Sequence, residues 1–179
     1  MKFKGHKVLV IGDTHDSPHI PQNRFHWIGK HIRKVKPDYI IHIGDFSSMD
    51  SLSFFQKNST QQGKLKDAFK ILDKYIKDYP KHFCMGNHEL RIHRFEENIP
   101  EIEGMMKHQL YSSFKEYGWS VSEYGEFKYI AGVAFVHAPL NIMGREYGGK
   151  NAEVQIGNDS IHDLVFGHTH KARDWKAIK

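Results

Sequence analysis

The sequence predicts an α/β fold in which two β-sheets pack as a sandwich flanked by helices. Three observations predict it. Short apolar runs bounded by glycine recur along the chain, as buried strands do. In the first half these runs alternate with segments of helical period, the pattern of parallel strands joined by helices. Over residues 119–136 the period becomes that of strands, with Val121, Phe127, Tyr129 and Val133 separated by Gly125 and Gly132. At 179 residues and 39% hydrophobic content, the chain can bury a core as one domain, residues 1–179.

Val8-Leu9-Val10-Ile11 is the first strand, and it stops at Gly12-Asp13-Thr14-His15. Residues 24–36 form an amphipathic helix with Phe25, Ile28, Ile32 and Val35 on one face, ended by Lys36-Pro37. Its other face carries His26, Lys30, His31, Arg33 and Lys34, read as a solvated surface first and a nucleic-acid stripe second. The second strand, Tyr39-Ile40-Ile41-His42-Ile43, stops at Gly44-Asp45. The polar stretch that follows reads as a short helix over 52–57 and then a mobile loop. A second helix over 64–79 presents Leu65, Ala68, Phe69, Leu72, Tyr75, Ile76 and Tyr79, with Lys64, Lys66, Lys70, Lys74 and Lys77 outward.

His82-Phe83-Cys84-Met85 stops at Gly86-Asn87-His88-Glu89. Residues 90–98 read as a helix ending before Pro100, and 109–117 as another closed by Gly118. Val133-Ala134-Phe135-Val136 stops at His137, and residues 143–149 read as a surface loop. Leu164-Val165-Phe166 stops at Gly167-His168-Thr169-His170.

The composition excludes several classes. The single cysteine, Cys84, permits no internal disulfide, which fits a reducing, cytoplasmic compartment, and it reads as a small buried hydrophobe. The first apolar stretch is four residues long, too short for a signal-peptide core or a membrane span. A net charge of +5 suits a polyanionic substrate. Of 14 histidines, five fall in the strand-end motifs, and most of the others are expected at the surface. The oligomeric state is left open.

The strand ends hold the chemistry. Five buried strands that each stop at an oxygen or nitrogen donor bring those donors to one rim of a sheet. Asp13 and His15 share a turn. Asp45 has two carboxylate oxygens with which to bridge two cations, and Asn87 offers an amide oxygen. His137, His168 and His170 add imidazoles. His168 and His170, two apart just beyond a strand, are expected to point to the same side in extended geometry. The glycines before Asp13, Asp45, Asn87 and His168 fit sharp turns at a crowded rim. Each piece alone is an ordinary turn or core histidine; together they predict a dinuclear metal site.

These five ordered motifs, spread over residues 12–170, resemble those of the calcineurin-like metallophosphoesterase superfamily. A narrower similarity is to the small metallophosphatases of tailed phages and prophages, through Trp27-Ile28-Gly29-Lys30, Ser51-Leu52-Ser53 and the Arg91 and Arg94 that follow Asn87-His88-Glu89. The resemblance implies that Asp13, His15, Asp45 and His170 hold one metal, and that Asp45, Asn87, His137 and His168 hold the other. It also implies in-line attack by a bridging hydroxide on a phosphoryl group, with His88 as the general acid. Two divalent ions are expected, Mn2+ first, with Fe, Zn, Co or Ni also suited to such ligands. Arg91, Arg94 and Arg145 are candidate substrate-binding residues, because guanidinium pairs with phosphate.

The expected activity is hydrolysis of phosphodiester bonds, with a nucleotide or nucleic acid as substrate. The alternatives are a phosphomonoesterase on a small phosphorylated substrate and, less favoured, a binding module without catalysis. Two positions depart from the family pattern. Asp16 stands where glycine is usual and reads as a surface acid, and Ser48 stands where a second acid is usual, removing an expected support for the site. The strands that usually follow the last motif are not expected, because nine residues remain after His170.

Overall fold

A computed structural model describes residues 5–17, 19–52 and 64–170. Twelve helices and strands follow one another: β1 (Val8–Ile11), α1 (Asn23–Val35), β2 (Tyr39–His42), α2 (Lys64–Ile76), β3 (Lys81–Cys84), α3 (Leu90–Glu97), α4 (Met105–Glu116), β4 (Ser120–Ser122), β5 (Lys128–Ile130), β6 (Val133–Val136), α5 (Ala152–Asp159) and β7 (Asp163–Phe166). The first sheet is parallel, in the order β1-β2-β3-β4. The second runs β5-β6-β7, with β5 antiparallel and β7 parallel to β6.

Alternation along the strands separates two cores. On β2, Ile40 joins the helix-side cluster of Phe25, Ile32, Phe46, Phe69, Phe83 and Phe114, whereas Ile41 faces the second sheet with Ile43, Cys84 and Phe135. Successive strand residues point to opposite faces, so one strand serves both layers. The stack of helices, parallel sheet and mixed sheet puts the C-terminal ends of β1, β2, β3, β6 and β7 at one rim. No helix among the described residues is long and apolar enough to cross a membrane.

Several expectations change. The helix expected over 109–117 starts at Met105, because Glu96 accepts backbone N–H bonds from Gly104, Met106 and Lys107 and caps the first turn from α3. α5 was not expected. Only Ala152, Glu153 and Ile156 of its residues are buried, too few apolar positions to set a helical period. Ile156 lines a cavity of about 600 Å³ with Ala134 and Leu164, so α5 lies against the outer face of the second sheet. α2 ends at Ile76 rather than 79, in a turn closed by Tyr79 N–H to Ile76 O. Of the helix expected over 52–57, the described part is a 3-10 turn over Asp50–Leu52. The remainder, the loop to 63 and the side chains of Lys64, Leu65 and Lys66 lie outside the described residues. Cys84 is buried as expected. Two histidines outside the motifs are not at the surface: His42 and His82 are buried within strands.

Candidate metal centre

Two rim loops carry the centre, and backbone bonds zip them together. His15 N–H donates to Asp45 O at 2.9 Å, Asp16 N–H to Phe46 O at 2.7 Å, and Ser48 N–H to Asp16 O at 3.0 Å. Thr14 Oγ1 donates to Phe46 O at 2.9 Å and meets His42 Nε2 at 3.3 Å. His42 is fully buried, and burial pushes its pKa down to about 3, so it acts here as a neutral bridge.

Glu89 locks the next layer. Its buried carboxylate accepts the backbone N–H groups of Asp45, Phe46 and Gly86, each at 2.9 Å. Burial first, and the Asp45 charge second, push its pKa up to about 8, while backbone N–H bonds, those of Gly86 and Asp45 among them, favour the ionised form. Gly86 sits so close to this knot that a Cβ there would collide with Asp45 and Glu89. Gly167 likewise has no room for a Cβ beside Asp13. Of the four glycines expected at sharp turns, Gly44 alone has left-handed backbone, φ 96°; Gly86 and Gly167 serve close approach instead, and Gly12 has open space around it.

Asp13, His15, Asp45 and His170 form a group whose donor atoms all lie within 4.8 Å of one another, a set able to hold a metal ion. Asp13 Oδ2 accepts His168 N–H at 2.8 Å and lies 3.2 Å from His170 Nε2. Asp13 Oδ1 is buried without a hydrogen-bond partner, an exposed need for a cation. His15 Nε2 and His170 Nε2 approach to 2.9 Å. Burial, ahead of every charge around it, lowers the pKa of His15 and favours the neutral, ligating ring.

A second convergence adjoins it. His137 Nδ1 donates to Ile43 O at 2.7 Å, which leaves Nε2 without a proton in the neutral ring, 2.9 Å from Asn87 Oδ1. Burial lowers the pKa of His137 and favours that neutral state. His168 Nε2 lies 3.2 Å from Glu146 Oε2, and its Nδ1 sits 3.0 Å from Asn87 Oδ1. Two imidazole nitrogens and an amide oxygen thus converge on one point, donors of the kind a divalent cation takes. Asp45 Oδ2 stands between the two groups, 3.5 Å from His137 Nε2 and 3.8 Å from His15 Nε2.

The expectation that His168 and His170 share a side through extended geometry fails. Both adopt left-handed backbone, φ 67° and 53°, so His168 turns to Asn87 and His170 to His15. His15 and Asp45 also have positive φ, 45° and 49°. Such conformations are costly for residues with a Cβ and cluster at functional sites.

His88 belongs to neither group. Its backbone N–H donates to Asp45 Oδ1 at 2.9 Å, and its Nε2 lies 3.8 Å from Asp45 Oδ2. Arg91 Nη1 donates to Ser48 O at 2.6 Å, and its Nη2 lies 3.3 Å from His88 Nε2. Arg94 is exposed one turn further along α3. Arg145 is exposed too, and from the same loop it is Glu146 that reaches the centre, held by the Tyr124 hydroxyl. Glu89, Glu146 and Tyr124 had no assigned role in the sequence, because their contacts join segments with no shared spacing. Asp16 is no surface acid: it is 1% exposed and paired with Arg24 at 2.9 Å. Ser48 still supports the rim, its hydroxyl donating to His15 O at 3.2 Å.

With a sandwich fold and this rim, the chain belongs to the calcineurin-like phosphoesterase family, whose profile matches residues 6–172. It is also similar to the crystal structure of Pseudomonas putida nuclease MPE, at 14% identity and a TM-score of 0.51. The likeness covers 91% of this chain and 61% of that one, and identity this low speaks for the fold. The chain therefore spans about 61% of the length of that nuclease. No curated protein matches it. The family is metal-dependent, and the group around Asp13 is a possible metal site in this chain.

Proposed function

We propose that the protein is a dinuclear metal-dependent phosphodiesterase acting on nucleotide or nucleic-acid phosphodiester bonds. The observation that supports it best is the pair of donor groups meeting at Asp45 Oδ2, with His88 beside them. In this reading Asp13, His15, Asp45 and His170 hold one ion, and Asp45, Asn87, His137 and His168 the other, all within one domain. Mixed oxygen and imidazole donors suit Mn2+ first. When bound, the ions supply an activated water and neutralise charge on the phosphoryl oxygens.

The chain's own groups do the rest. Asp45, fixed by the His88 N–H and by Glu89, would present its carboxylate to both ions. His88 delivers a proton from Nε2 to the leaving oxygen, with Nδ1 anchored on Ser48. Arg91 reaches the phosphate by turning away from His88 Nε2, and Arg94 and Arg145 stand outside it as further anion contacts. The nuclease likeness favours a nucleic-acid substrate.

The test is turnover of bis(p-nitrophenyl) phosphate against p-nitrophenyl phosphate with Mn2+ supplied, followed by metal analysis of the protein. Preference for the diester with two ions per chain is expected. Clear preference for the monoester, or turnover of neither, overturns the reading.

A further inference from the structure

Helix α1 carries a stripe that the metal centre does not use. At 100° per residue, Phe25, Ile28, Gly29 and Ile32 fall on the side facing the core. Trp27, Lys30, His31 and Lys34 fall on the opposite side, within roughly a third of the circumference, and all four are exposed. Trp27 is 65% exposed, and its indole makes no ring contact with a described residue. Nothing in Asn23–Val35 is acidic. Among the described residues, no carboxylate pairs with Lys30 or Lys34. Arg33 is different: it turns to α2, donating to Lys74 O and Tyr75 O.

The helix that carries the stripe starts beside the site. Arg24 and Gln22 both donate to Asp16, the residue after His15, and so tie the first turn of α1 to the metal loop. From Trp27 to Lys34 the helix rises ~10 Å, room for a few nucleotides of a single strand. An exposed indole followed along the helix by two cations without a carboxylate partner offers a stacking surface for a base and partners for the phosphates that run on from it. A base within a duplex has no free face for such stacking.

We propose that α1 is an accessory face for single-stranded nucleic acid, with Trp27 stacking on one base and Lys30 and Lys34 meeting flanking phosphates. The proposal rests on the phosphodiesterase reading and names a polymer as the substrate class.

The experiment measures binding of a labelled short oligothymidylate with phosphorothioate linkages to the full chain in Mn2+, by fluorescence anisotropy. Trp27→Ala is expected to weaken binding about ten-fold, and Trp27→Phe to recover most of the loss. Replacing Lys30 and Lys34 together by Ala is expected to reduce the slope of log K against log salt by about 1.4. Turnover of bis(p-nitrophenyl) phosphate is expected to stay unchanged in all three variants. Binding by Trp27→Ala within two-fold of wild type overturns the proposal. So does equal dependence on Trp27 when a duplex or polyglutamate replaces the oligonucleotide. Trp27-dependent binding by a protein that hydrolyses no diester keeps the face and removes the reaction, so the two failures are distinct.

Discussion

His88 Nδ1 lies 2.6 Å from the backbone carbonyl oxygen of Ser48. A carbonyl only accepts, so Nδ1 carries the hydrogen, and Nε2 is the nitrogen left to exchange a proton. The tautomer is set by a backbone atom that no side-chain substitution at position 48 removes.

His88→Ala is therefore expected to lower kcat on a diester with a poor leaving group by about 10²–10⁴-fold. With p-nitrophenolate as the leaving group, which needs little protonation, the loss is expected to be much smaller. Metal content should stay at the wild-type level. Equal losses on both substrates would remove the acid role from His88.

Glu89→Gln keeps the shape of the side chain but replaces one acceptor oxygen by a donor, facing three N–H groups. A loss of about 1–3 kcal/mol in unfolding free energy is expected, because a buried N–H is left unpaired. Weaker binding of Mn2+ should accompany it, since Asp45 is held by the same knot. Urea unfolding and a metal titration check the two effects separately.

Gly86→Ala and Gly12→Ala are expected to differ sharply. The first drives a methyl into Asp45 and Glu89, and the second meets open space. Activity and metal binding should collapse in Gly86→Ala and survive in Gly12→Ala. Similar behaviour of the two variants, in Mn2+ titration and turnover, counts against the packing described at the rim.

Acid should destabilise the protein through buried imidazoles. Burial depresses His82 from 6.5 to about 4 and His42 from 6.5 to about 3. The unfolded chain takes up these protons first, so their contribution is complete above pH 6.5 and lost as pH falls towards 4 and below. Comparing urea midpoints of wild type and His82→Gln between pH 6.5 and 4 isolates one histidine. The variant should show the shallower acid fall.

Much of this architecture was legible in the sequence, because burial imposes a period on strands and helices. The runs ending at Asp13, Asp45, Asn87, His137 and His168 are strand ends at one rim, and the family follows from their order. What was illegible depends on contacts between distant residues. The cap of α4 comes from Glu96, the hold on Asp45 from Glu89, and the partner of His168 from Glu146. None of these pairs has a spacing that a linear pattern could carry. The left-handed turns at His168 and His170 are likewise imposed by the donors they must meet, against the local preference of residues with a Cβ.

The bond from His168 N–H to Asp13 Oδ2 joins residues 155 positions apart. A contact of that span forms only after nearly all the intervening chain has been ordered, and its loop-closure cost comes due late. During synthesis, then, Asp13 and His15 emerge early and wait for the last motif before the first donor set is complete. In the proposed reading, a metal held by this set would report that the chain between Asp13 and His170 has folded, and a cation that binds the native chain alone would stabilise it.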